Sequence, residues 1–220
     1  MKYEISWQLV ASYTPSLLRG AVLTVELAGL SILLGLVVGV IGVPARLSSV
    51  RPVRWAVRGY VEAVRNTPIL IQLYFVYHGL PRAGIRFDSF STALLALSLY
   101  CGAYVVEILR AGIEAVERGQ VEAARASGLA EYHVFRHVIL PQAMRISLPA
   151  LSGQVISMLK LSSLASVIGA VELTYLVNDA VALTYRSFEL YAMAGLAYLG
   201  MTLATAALFR VLEVRLRVVH

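Results

Sequence analysis

Residues 107–151 read EILRAGIEAVERGQVEAARASGLAEYHVFRHVILPQAMRISLPAL, and their reading decides the fold. Ala, Glu and Arg dominate, and all three are good helix formers. Gly119 and Gly128 punctuate the run and Pro141 ends it. The pattern predicts a helix, a glycine turn and a short second helix. Tyr132, Phe135, Val138 and Ile139 repeat at helical spacing, which gives the second piece an apolar stripe. Spacing alone is equally compatible with a surface lever and with an amphipathic helix resting on its own bundle.

On either side the chain turns to oil. A spanning helix needs about 20 mostly apolar residues. Five stretches satisfy this: 20–43, with Glu26 its one charge and Pro44 its end; 59–80; 89–106; 146–170, which holds Lys160; and 190–209. In the second, Glu62 and Arg65 are three apart and are expected to pair. Composition agrees. The chain is 59% hydrophobic and 15% charged, with a mean hydropathy of +0.74, whereas a soluble domain is about half apolar and a quarter charged. The expectation is an all-α integral membrane protein with five transmembrane helices in a single domain, 1–220. The start, 1–19, lacks the basic and apolar regions of a removable signal peptide. With Tyr3, Trp7 and Tyr13 it reads as a segment lying along the interface.

Arginine sets the direction. Arg46, Arg51, Arg54, Arg58, Arg110, Arg118, Arg125, Arg136, Arg145, Arg210, Arg215 and Arg217 fall on one side of the five spans. Lys2, Arg82, Arg86 and Arg186 fall on the other. Twelve against four places the N-terminus outside and the C-terminus in the cytoplasm. The same distribution explains the net charge of +6 without nucleic acid, because the cations flank apolar runs rather than forming one phosphate-binding face.

Catalytic chemistry finds no foothold. Neither lysine sits in a Gly-Lys-Ser/Thr setting, so no Walker A site is present. A lone cysteine, Cys101, excludes an internal disulfide and a multi-thiol metal centre. His133 and His137 share a helix face but lack a third ligand and the glutamate of a HExxH site, so no metal is expected.

The central stretch resembles the EAA loop of ABC importer permeases, EAA-x3-G-x9-I-x-L-P. Glu122, Ala123, Ala124, Gly128, Leu140 and Pro141 match, and Val138 stands where the pattern has Ile. Further resemblance to polar amino-acid permeases lies in RNTPILIQL at 65–73, in Gly102-Ala103-Tyr104 with Glu107, and at 159–169. The resemblance implies a type I ABC importer permease in a bacterial plasma (inner) membrane, with a cytoplasmic coupling loop at about 111–141. It implies a second permease subunit, identical or not, two cytoplasmic ABC ATPases that hold ATP and Mg, and an extracytoplasmic solute-binding protein. The chain itself is then no enzyme and carries no cofactor, and its cargo is an amino acid or a related small solute. Glu122 is expected to anchor the loop to the partner or to a loop arginine, and Gly128 to supply a turn with φ > 0. Ala130 stands where Ser or Thr would cap the second helix better.

Polar side chains inside a bundle are functional candidates. Gln154, Ser157 and Leu161 share a face of the fourth span, with Ser98, Tyr100 and Cys101 of the third opposite. They are candidates for lining a solute cavity, or else simply join helices by hydrogen bonds. Relatives commonly carry an acid at the Leu161 position and Asn at that of Tyr100. Both changes make the pocket less polar and disfavour arginine or lysine as cargo. A standalone secondary transporter or channel is the competing class. Five spans without an internal repeat argue against the former, and the loop has no task in either.

Overall fold

The computed structural model describes residues 6–216, and Lys2, Tyr3 and Arg217 lie outside them. α-Helices run as α1 (Trp7–Leu47), α2 (Arg51–Arg65), α3 (Ile69–Gly79), α4 (Ser89–Glu114), α5 (Arg118–Ala126), α6 (Glu131–Val134), α7 (Leu140–Leu161), α8 (Leu173–Thr184) and α9 (Ser187–Leu216). Among the described residues no strand interrupts them.

Four stretches are long and apolar enough to cross a bilayer: Trp7–Leu47, Ser89–Glu114, Glu131–Ile168 and Ser187–Val214. The expected fifth, at 59–80, is not one helix. Pro68 has no N–H and disfavours helical backbone at Thr67, so α2 stops and α3 starts afresh. Side chains satisfy the carbonyls that the break releases. Asn66 Nδ2 donates to Glu62 O, Thr67 Oγ1 to Ala63 O, and Gln72 Nε2 to both Val64 O and Thr67 O, each at 2.8 Å. A broken helix survives in apolar surroundings only on these terms. Nor do Glu62 and Arg65 pair: Glu62 accepts from Arg58 at 2.6 Å.

α1 and α4 form the central pair. Gly35 lies against Cys101 and Gly39 against Val105, so equal steps along both helices keep pace and the two run parallel. Leu47 and Ser89 therefore sit at opposite ends, roughly 36 Å apart at 1.5 Å per residue. α2 and α3, in series, make the return. α7 runs antiparallel to α4: Ser147 Oγ donates to Ile108 O at 3.4 Å, and four residues further along α4 Gly112 lies against Ala143, four residues earlier on α7. The expected interface segment before residue 20 belongs to α1 itself, which starts at Trp7 and continues past Pro44. At the head of α4, Asp88 accepts from the N–H groups of Phe90 (3.1 Å) and Ser91 (3.3 Å). Bonding to Ser91 holds its carboxyl below the ordinary range. The cap is therefore intact at neutral pH and is lost as acid titrates it through that lowered value.

The α1–α4 contact yields a testable consequence. A Cβ at Gly39 would lie 2.2 Å from Val105 Cγ1, and the β-branched side chain has little room to turn away. Gly39→Ala is expected to cost about 1–3 kcal/mol, read from denaturant unfolding in micelles. Adding Val105→Gly should recover part of the loss. Simple additivity of the two changes would mean that the helices are not in contact there.

Candidate functional site

The loop residues form a compact hinge. α5 ends in a six-to-one and five-to-two pair of hydrogen bonds: Leu129 N–H to Ala124 O at 3.3 Å, and Gly128 N–H to Arg125 O at 2.9 Å. This is a Schellman turn, and Gly128 occupies its left-handed position at φ 81°. Across the turn Arg125 grips Glu131 through two bonds, Nε to Oε1 at 2.7 Å and a terminal nitrogen to Oε2 at 3.0 Å. Those bonds raise the Arg125 pKa further. The sequence reading gave the anchoring role to Glu122. In the structure Glu122 and Ala123 face outward from α5 while Ala124 is the buried residue of that helix.

α6 does not stand alone. Ala130 occupies its N-cap position with no side-chain bond, and the helix continues through a π-turn, Phe135–Ile139, into α7. The wider turn falls just before Pro141, whose ring and missing N–H a regular helix accommodates poorly. The loop is thus welded to a span, and Pro141 passes through the helix rather than ending it. Val134 is the buried anchor, whereas Tyr132 and Phe135 of the expected stripe are 63% and 41% exposed. His133 and His137 stack on one another with ring centroids 5.6 Å apart.

Counting from the Ser147–Ile108 contact, the antiparallel register brings Gln154 level with Cys101 and Ser157 level with Ser98. Ser98, Cys101 and Gln154 are buried, and neither Ser98 Oγ nor Gln154 Nε2 has a hydrogen-bond partner. Ser157 bonds back to Gly153 O at 2.8 Å. Leu161 packs against the central apolar cluster. Of the six candidates, Tyr100 lines a groove. That groove, of about 590 Å³, is formed by the α2–α3 break together with Tyr100, Tyr104 and Leu164. A second, of about 410 Å³, runs from Arg65 and Tyr104 past Glu107 and Ala111 to Ile146 and Ala150. Glu107 is already engaged by Arg110, whose Nε lies at 2.8 Å, and by Arg46 at 3.9 Å. Nothing in the sequence marks Arg65 and Tyr104 as site residues, because a guanidinium over a ring belongs to no linear pattern. The signal available was the Asn-Thr-Pro that breaks an otherwise apolar run.

The described elements are all helical, four stretches are long and apolar enough to span a membrane, and the loop hinge runs on into one of them. The binding-protein-dependent transport system inner membrane component family matches residues 10–218. The chain belongs to that family. It is 38% identical over 192 residues to the probable glutamine ABC transporter permease protein GlnM of Bacillus subtilis (strain 168), covering 87% of each chain. It is 43% identical over 170 residues to the L-cystine transport system permease protein TcyB of the same organism, covering 77% of this chain and 73% of that one. The solved structure of an amino acid ABC transporter with histidines superposes with a TM-score of 0.92 at 37% identity, covering 97% of this chain and 100% of that one.

Proposed function

We propose that this chain is one transmembrane half of an ATP-driven importer that carries an amino acid lacking a positive side chain into the cell. The observation that carries the reading is the α5 hinge. It presents Glu122 and Ala123 outward, is braced by Arg125 and Glu131, and is continuous with a helix that crosses the bundle. A partner that pushes on α5 pushes on α7. Such a lever suits a separate ATPase, and two of these, holding ATP and Mg, are the proposed engines. A second permease subunit, the same or different, is proposed to close the open grooves, and an external binding protein to deliver cargo.

The N-terminus is placed outside and the α5 end in the cytoplasm of a bacterial inner membrane. Arg46, Arg51, Arg54, Arg110 and Arg118 all lie at the α5 end. A Ser49→Cys variant, at an exposed position beyond α1, should stay unlabelled by an impermeant thiol reagent in intact cells. Native Cys101 is buried and supplies the baseline. Labelling there would reverse the orientation.

Two facts support the cargo class. Leu161 places no carboxylate near Tyr100, and Glu107, an acid lining the smaller groove, is neutralised by two arginines. The relatives divide on the point: some are named for glutamine and cystine, others of similar identity for arginine and octopine, so the cargo class rests on the residues of this chain. Affinity purification of the tagged chain from its own host decides the larger question. An ATPase that co-purifies and is stimulated by cargo-loaded binding protein is the expected result. A chain that purifies alone and conducts or exchanges solute without ATP would establish the channel or secondary-transporter reading instead.

A further inference from the structure

We propose that Arg65 and Tyr104 form the seal of the solute path, a cation–π contact that separates two grooves opening toward opposite ends of the bundle. The inference rests on the permease reading above, since a path needs a closing barrier only in a transporter.

The grooves are stacked along α4. The larger one reaches from Tyr104 through Tyr100 to Leu164 and Leu70, toward the end where α4 begins. The smaller begins at Tyr104 and Ala150 and reaches through Glu107 and Ala111 to Ala115, toward the α5 end. Arg65 and Tyr104 are the two residues common to both linings. They touch one another, with the guanidinium carbon 5.2 Å from the ring centroid. Tyr100 extends the aromatic floor, its ring 4.7 Å from that of Tyr104.

The chemistry suits a barrier that opens. Among the described residues the Arg65 guanidinium has no carboxylate within 4 Å and no side-chain hydrogen bond; the ring face is its contact partner, and Glu107 attracts it only from farther off. A guanidinium over a tyrosine face is attracted by the ring quadrupole without a fixed donor–acceptor geometry, so it can slide off and return. The position adds leverage. Arg65 is the last residue of α2, immediately before the Asn66-Thr67-Pro68 break, while Tyr104 sits in the middle of the unbroken α4. A change of angle between α2 and α3 therefore moves the guanidinium relative to a fixed ring. Gln72 of α3, bonded back to the carbonyls of Val64 in α2 and Thr67 in the break, sets the resting angle.

Thiol access tests the seal. Leu70→Cys and Ala150→Cys place one reporter in each groove of the permease–ATPase complex, reconstituted in vesicles without ATP. An impermeant methanethiosulfonate reagent is then added on one face at a time. In the parent, each cysteine should react from its own face alone. Tyr104→Leu should speed reaction from the far face by about two- to fivefold, the factor expected for losing one solvent-exposed cation–π contact. Tyr104→Phe, which keeps the ring, should leave the seal intact, a distinction that a purely structural hydroxyl role would reverse. Should Tyr104→Leu fail to assemble, Arg65→Gln breaks the same contact from the other side. Unchanged far-face labelling in both ring-removing and guanidinium-removing variants overturns the proposal, as does two-sided labelling of the parent. Either result with the ATPase still co-purifying would leave the permease reading standing and remove only the seal.

Discussion

A Gly128→Val permease is expected to insert and assemble its spans, yet to lose uptake and cargo-stimulated ATP hydrolysis together. Gly128 holds φ at 81°, and the space around an added Cβ is open. The penalty is therefore one of backbone rather than of collision. A β-branched residue in left-handed geometry costs about 1–2 kcal/mol in the turn, and more once the two Schellman bonds are broken. The turn is the joint through which a push on α5 reaches α7, and Arg125 and Glu131 bridge it from outside. Both are exposed, so their ion pair adds little holding strength of its own. Gly128→Asn is the control, because Asn tolerates the left-handed region and should keep most activity. Uptake and ATPase assays on the three proteins decide. Normal coupling in Gly128→Val would mean that the loop transmits no force.

Sequence and structure part company at instructive places. Gly128 was legible because a glycine after a helix of Glu, Ala and Arg has a local physical meaning. The start of α4 at Ser89 was legible for the same reason: polar residues end and an apolar run begins. The break at Pro68 was misread as span because apolarity averaged over 59–80 passes smoothly across Asn66-Thr67-Pro68. The proline was visible, but the compensation was not. Gln72 reaches back eight residues to Val64 O, and no window average detects a side chain closing a backbone gap. The loop was read as separate from the fourth span because Pro141 usually ends a helix. A π-turn absorbed it instead.

Least legible of all was Glu172. It is fully buried at the head of α8 and lies beside Thr24, 148 positions earlier in the chain, and Tyr198, 26 positions later. From sequence it is simply an acid between spans, a possible countercharge for a cationic solute. In the structure its oxygens are already occupied. Tyr198 donates its hydroxyl at 2.8 Å and the Tyr175 N–H donates at 2.8 Å, while Thr24 Oγ1 lies 3.2 Å away. Thr24 in turn accepts the Leu173 N–H at 3.1 Å, and the hydroxyls of Thr174 and Tyr198 meet at 3.0 Å. One carboxylate thus ties α1, α8 and α9 together and is fully buried, out of reach of cargo.

Glu172→Leu is accordingly expected to destabilise the protein severely while leaving cargo preference untouched. Leucine fills most of the volume but strands the Tyr175 N–H and leaves the Tyr198 hydroxyl only Thr174 Oγ1 as a partner. The stranded donor costs about 1–3 kcal/mol and the lost Tyr198 bond about 1 kcal/mol more, so the loss should be roughly 2–4 kcal/mol, large for any single change. Glu172→Gln keeps one acceptor oxygen and should fall well short of that loss. The decisive variant is the double one. Tyr198→Phe and Glu172→Leu remove the two ends of one bond, so the double mutant should lose less than the two single losses added together. Denaturant unfolding of the four proteins in micelles supplies the cycle. Strict additivity would show that Tyr198 and Glu172 are not bonded. An altered cargo preference in Glu172→Gln, with stability retained, would return Glu172 to the solute path.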